Sequence, residues 1–185
     1  TIGKKDTAEA VYTMGQTAFK TGNYEDAVLA LGNTDLSQLE GKHKTNAQAL
    51  LGQAALRAGN QLMNKRDKSD AEACKKSVAD AQEYYKLAEK TLSGVLKRNS
   101  PDRRARETDL SNEEVIALNH DLGDTQRGMG DYGKARKSYL KSEAEMDKMS
   151  DGYEQASVQE GRRAGLCRKI GLTYLDEAKH IGIPG

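Results

Sequence analysis

Residues 8–41 read AEAVYTMGQTAFKTGNYEDAVLALGNTDLSQLEG. Val11, Met14, Gly15 and Ala18 recur at spacings of three and four, which places them on one face of a helix. Thr21-Gly22-Asn23 interrupts that face with turn chemistry. Tyr24, Ala27, Val28 and Leu31 then rebuild an apolar stripe on a second helix. The stretch predicts a helix hairpin, and the small residues Gly15 and Ala27 predict that its two arms approach closely.

The pattern returns further along the chain. Leu122-Gly123 leads to Gly130-Asp131-Tyr132, Ala135 and Tyr139, with the distances of the first unit kept residue for residue. Partial copies start at Leu51-Gly52 and Ile170-Gly171. In the second copy Tyr84, Tyr85 and Ala88 predict a displaced second helix over residues 80–92. A polar, charged insert at 60–76 separates its halves, either as helical extension or as a mobile segment. Repeats are thus expected at 8–41, 45–95 and 114–149, followed by a partial or capping helix at 151–181. A linker at 96–110 carries the helix breaker Pro101. Ser111 and Glu114 have the spacing of a capping box at a helix start.

Small residues at fixed places, a Leu-Gly pair, a Gly-Asp/Asn-Tyr turn, then Ala and an aromatic: this order resembles the tetratricopeptide repeat family. Unit one offers Val11, Met14-Gly15, Gly22-Asn23-Tyr24, Ala27, Leu31 and Thr34. Unit three offers Asn119, Leu122-Gly123, Gly130-Asp131-Tyr132, Ala135, Tyr139 and Ser142. Asn119 departs from the family's bulky anchor, and neither unit ends in its proline. The resemblance implies an all-α fold, a right-handed α-solenoid of helix hairpins with an extended or interrupted second repeat, forming one domain over residues 1–185. The long spacings from Gly15 to Gly52 and from Gly123 to Gly171 resemble the long-helix repeats of spindle-orientation and Tonsoku-like scaffolds. Chaperone-binding members hold acidic C-termini with Lys and Asn one turn apart on the first helix; Tyr12 and Gln16 stand there instead.

Composition agrees with helices and excludes several functions. Ala, Leu, Lys and Glu are plentiful, and the 185 residues contain only 2 prolines. With 29 Lys and Arg against 28 Asp and Glu, the net charge of +1 gives no reason to expect nucleic acid or an anionic membrane. No apolar run reaches the length of a membrane span, and no signal peptide or Asn-x-Ser/Thr site is visible. Cys74 and Cys167 form no CxxC pair and read as small buried apolar residues, with no metal site expected. An intracellular, cytoplasmic protein is the expectation. A nuclear address is the alternative reading of Lys97, Arg98, Arg103, Arg104 and Arg106, a stretch interrupted by acids and read here as exposed loop.

Motifs of chemistry have plainer explanations. Gly128-Met129-Gly130-Asp131-Tyr132-Gly133-Lys134 spells GxGxxG and nearly a Walker loop, but Ala135 replaces the hydroxyl that would bind Mg²⁺, and a helix precedes the glycines where a strand is needed. His120-Asp121 pairs a base with a carboxylate, without nucleophile or oxyanion donors to match. Glu143 and Glu145 read as a solvated face. No catalytic residue, metal or cofactor is therefore expected.

The resemblance implies that first-helix positions not spent on packing line a concave groove. These are Tyr12, Gln16, Phe19 and Lys20, then Gln53 and Arg57, then His120, Asp124 and Arg127, and last Arg168, Leu172 and Leu175. Phe19, the single Phe, is the expected apolar anchor, or else packs against the next repeat. The expected function is a protein–protein interaction scaffold that takes a partner peptide or helix. The alternatives are a helical nucleotide-binding or enzymatic domain using residues 128–134, and a self-assembling spacer.

Overall fold

The computed structural model describes the backbone of residues 4–99, 110–149 and 153–182, and the side chains of 7–99, 110–149 and 160–182. Seven α-helices and one 3-10 turn occur among the described residues, with no strand. They are α1 (Lys4–Lys20), α2 (Tyr24–Gly32), a 3-10 turn (Leu36–Gln38), α3 (Gly41–Lys65), α4 (Ala71–Arg98), α5 (Asn112–Gly128), α6 (Tyr132–Asp147) and α7 (Tyr153–His180). Two compact units divide the chain, Thr1–Asp109 with α1–α4 and Leu110–Gly185 with α5–α7. Within each, every helix packs on its neighbour in sequence, α1 also touching α3.

The hairpin bends lie where the glycines predict them. Gly22 and Gly130 both have φ of +82°, the left-handed region. Asn23 N–H donates to the Ala18 carbonyl and Gly22 N–H to that of Phe19; Asp131 and Gly130 do the same to Gln126 and Arg127. These are two copies of one Schellman turn, which satisfies carbonyls left over at a helix C-terminus. The carbonyls of Asn23 and Asp131 then accept from Ala27 and Ala135, so each closes one helix and opens the next. At the start of α5 the Ser111 side chain accepts from Glu114 N–H while Glu114 accepts from Ser111 N–H, the expected capping box.

Glycine on the first helix makes room for a bulky residue on the second. A Cβ on Gly15 would lie 2.7 Å from Leu31, and one on Gly123 would lie 2.4 Å from Tyr139. Leu31 and Tyr139 are fully buried, and each follows its glycine by sixteen residues. Around Leu31 gather Ala8, Leu36, Leu39, Ala47 and Leu51; around Tyr139 gather Ile116, Ala135, Met146 and Leu166. Burying each large side chain contributes on the order of 1.5–3 kcal/mol.

The second hairpin departs from the sequence reading. Of the two readings of 60–76 the helical extension holds: α3 continues to Lys65, the chain turns, and α4 starts at Ala71 behind Asp70, whose carboxylate accepts from Glu72 and Ala73 N–H. Its second helix therefore begins well before residue 80. Leu92, not an aromatic near residue 84, faces Gly52, where a Cβ would lie 2.7 Å from it, while Tyr85 faces Gly59, where a Cβ would lie 2.8 Å away, and donates its hydroxyl to Asn60. Seven residues forward on α3 correspond to seven back on α4, as antiparallel register requires. Fully buried Ala54, Ala55, Ala58, Ala81 and Ala88 keep the two long helices close. Gln61, from the supposed insert, donates to the Gly22 carbonyl and ties α3 to the first bend.

Other expectations change in detail. Met14 is 62% exposed instead of packed. Glu145 is buried and paired with Lys148 at 2.8 Å, not solvated. Both cysteines are free, but Cys167 is exposed. Helix α4 runs through Lys97 and Arg98, where positive charge complements a helix C-terminus, so the linker starts later than residue 96. Pro101, Arg103, Arg104 and Arg106 lie outside the described residues. No helix among the described residues is long and apolar enough to cross a membrane.

Candidate functional site

In the first unit the expected groove residues fall on α1 and α3. Tyr12 is half-buried against the Leu31 cluster, its ring 6.0 Å from that of His43. Its hydroxyl bonds with Gln16 and Asn46, yet burial outweighs those bonds and raises the phenol above its ordinary range. Phe19 is half-buried and meets Tyr24 edge-on at 5.3 Å, across its own hairpin bend. Lys20 is exposed, and Gln53 and Arg57 are half-buried along α3. The structure thus joins Tyr12 to α3 through His43 and Asn46, with Gln16 bonded to Tyr12 on α1, while Phe19 pairs with Tyr24 across the bend.

The second unit draws α5 residues into a polar ladder that fixes α7. Asp124 accepts the Tyr139 hydroxyl at 2.8 Å and the Lys169 ammonium at 2.7 and 2.6 Å on its two oxygens. His120 Nδ1 lies 3.9 Å from Asp124, its ring 5.9 Å from Tyr139. Arg127 donates to Asp176 through Nε at 2.8 Å and Nη2 at 2.7 Å. Arg136 reaches Glu177 at 2.7 Å and covers the Tyr174 ring at 4.2 Å. Burial first, and then the Asp124 charge, push the Tyr139 phenol far above the ordinary tyrosine range.

Helix α7 thus turns one stripe inward, with Leu166, Lys169, Ile170, Thr173, Asp176 and Glu177 against α5 and α6. Arg168 is exposed, Leu172 half-buried and Leu175 53% exposed on a neighbouring stripe. Gly171 faces nothing within 4 Å, so the expected repeat position there has no packing partner, whereas Ile170 does. Sequence reasoning missed Lys169, Asp176 and Glu177. Their spacing of seven and eight on one face was the available signal.

Donor atoms of His120, Asp121 and Asp124 lie within 4.8 Å of one another. The Lys169 ammonium takes both oxygens of Asp124, the position a metal ion would need. At the 128–134 bend, the N–H groups of Met129, Gly130 and Asp131 donate to carbonyls of α5, and Lys134 pairs with Asp131 at 2.8 Å. A phosphate would have to displace each of these bonds.

Compared with family models, with curated proteins and with solved structures, the chain matches none.

Proposed function

We propose that the chain is a protein–protein interaction scaffold of tetratricopeptide type, whose first-helix faces take a peptide or helix from a partner. One observation carries the reading: the hairpin of unit one recurs in unit two with the same Schellman bend and the same glycine facing a buried bulky residue sixteen positions on. Sequential packing within each unit, α2 on α3 and α6 on α7, is what stacked repeats require, since a lone hairpin cannot cover its own apolar face. A right-handed solenoid is the arrangement this reading entails. Half-buried Tyr12 and Gln16, and Gln53 and Arg57 further along α3, supply the aromatic and polar mixture on which peptide recognition draws.

Crosslinking mass spectrometry on the native protein in its own extract tests the proposal. Crosslinks from one partner concentrated at Lys20 and along α3 are expected. Crosslinks scattered over all faces, with no partner enriched by the parent over a Tyr12→Ala/Arg57→Ala variant, refute it. Self-association is a second reading, favoured by exposed Tyr174 and Leu175 on α7 and Ile181 just past its end; sedimentation showing a monomer at high concentration removes it.

A further inference from the structure

The first unit holds a cleft of about 550 Å³ whose lining includes neither Tyr12 nor Gln16, within the roughly 300–1,000 Å³ range of ligand sites. It lies where the end of α2, the 3-10 turn, the start of α3 and the last turns of α4 meet. Lys44, Lys90 and Arg98 contribute three cations to its lining, and Asp35 the single carboxylate. Asp35 is already committed. Its oxygens accept from Ser37 N–H and from the Gln38 side chain, both at 3.0 Å. Arg98 donates to Gln48, a neutral acceptor, and its guanidinium passes over Gly94 with room to spare.

Three cations against one carboxylate is not the average of this chain. Its 29 Lys and Arg and 28 Asp and Glu leave no general surplus of positive charge. Among the described residues no carboxylate stands within ion-pair distance of Lys44, Lys90 or Arg98, and Asp35 acts on Lys44 only over a longer range. Convergent like charges repel, and an opposite charge brought by a ligand relieves that cost. Thr34, Ser37 and Thr91 add hydroxyls, while the edges of Leu36 and Leu51 and the lysine stems give a partly apolar wall.

We infer that this cleft docks an acidic peptide segment of a partner protein, carboxylates facing Lys44, Lys90 and Arg98 and an apolar neighbour resting on Leu36 and Leu51. The inference rests on the scaffold reading and adds a second contact surface to it, with the charge of the partner specified.

The test titrates the ¹⁵N-labelled full chain with three probes: the blocked peptide Leu-Glu-Glu-Leu, its counterpart Leu-Gln-Gln-Leu, and inorganic phosphate. The acidic peptide should shift the amides of Thr34, Ser37, Lys44, Thr91 and Gly94 saturably and weaken with added salt, and the glutamine peptide should not. Lys44→Gln/Arg98→Gln should weaken binding by roughly tenfold, with Lys86→Gln, on α4 outside the cleft, leaving it unchanged. Equal response to both peptides, unchanged affinity in the double variant, or phosphate alone reproducing the shifts would each overturn the proposal. Loss of stability in Arg98→Gln without loss of binding would do so too, since the cation would then serve only the C-terminus of α4. If the cleft fails while a partner still crosslinks to the Tyr12 face, this site falls and the scaffold reading stands; if the cleft binds and that face is silent, the reverse holds.

Discussion

Gly123→Ala is expected to destabilise the second unit by about 2 kcal/mol, although alanine is the better helix former. A Cβ at this position would lie 2.4 Å from Tyr139 Cε1, 2.5 Å from Cδ1 and 2.9 Å from Cζ. Ordinary carbon contacts are about 3.5–4.0 Å, so the ring must recede by roughly 1 Å. It has nowhere to go: Tyr139 is fully buried, and its hydroxyl is fastened to Asp124 on the same helix as the glycine. Overpacking of this kind costs about 1–3 kcal/mol, and straining the hydroxyl bond adds up to about 1 more. Against this stands a helix-propensity gain of about 1 kcal/mol.

Urea denaturation reads the difference, with a midpoint lowered by on the order of 1 M. Gly171→Ala is the matched control. It is the same exchange inside α7, where the added methyl meets nothing within 4 Å, so only the propensity gain of up to about 1 kcal/mol remains. A Gly123→Ala chain as stable as the parent would refute the close approach of α5 and α6.

Gly130→Ala should cost about 1–2 kcal/mol, since its φ of +82° is open only to glycine and, at lower cost, asparagine; Gly130→Asn should lie between in the same denaturation assay. Ser111→Ala should cost about 1 kcal/mol through loss of the capping box, visible as faster amide exchange in the first turn of α5. The Tyr139 phenol, raised when folded, contributes stability that is fully present below the unfolded value of about 10 and lost as pH rises above it. Alkaline titration followed by phenolate absorbance should show this tyrosine ionising only with unfolding. Tyr139→Phe should flatten the stability profile above that pH.

What the sequence made legible is what local chemistry decides. The two bends followed from the turn chemistry around Gly22 and Gly130, the start of α5 from Ser111 and Glu114, and the first and third hairpins from apolar residues at helical spacing on either side of each bend. The second hairpin was misplaced because α3 carries two glycines that each face a bulky residue. Tyr85 opposite Gly59 imitates the pairing of Tyr139 with Gly123, and only the antiparallel register shows that Leu92 opposite Gly52 lies seven residues away in the same seam. The polar, charged stretch after Asn60 left helical extension and mobile segment both open, because a long helix need not be apolar all round. The partners of Asp124 and Arg127 were hidden for another reason. Lys169 and Asp176 are forty-five and forty-nine residues distant, and no local pattern links them.

That last point bears on how binding surfaces are inferred in helical repeats. Positions on a first helix that are not needed for its own hairpin are conventionally assigned to a ligand, yet in the second unit His120, Asp124 and Arg127 face α7, the next helix of the same chain. An incoming peptide there must break the Asp124–Lys169 and Arg127–Asp176 pairs before it gains anything, and an ion left half-buried without its partner is costly. Lys44, Lys90 and Arg98 meet no such competition from a carboxylate among the described residues. Charge in the cleft is already assembled and needs only an anion, whereas charge on α5 is already answered. On these grounds a partner's acidic groups should find unit one first, and binding by the chain should weaken with salt and with loss of Lys44 well before it responds to changes at Asp124.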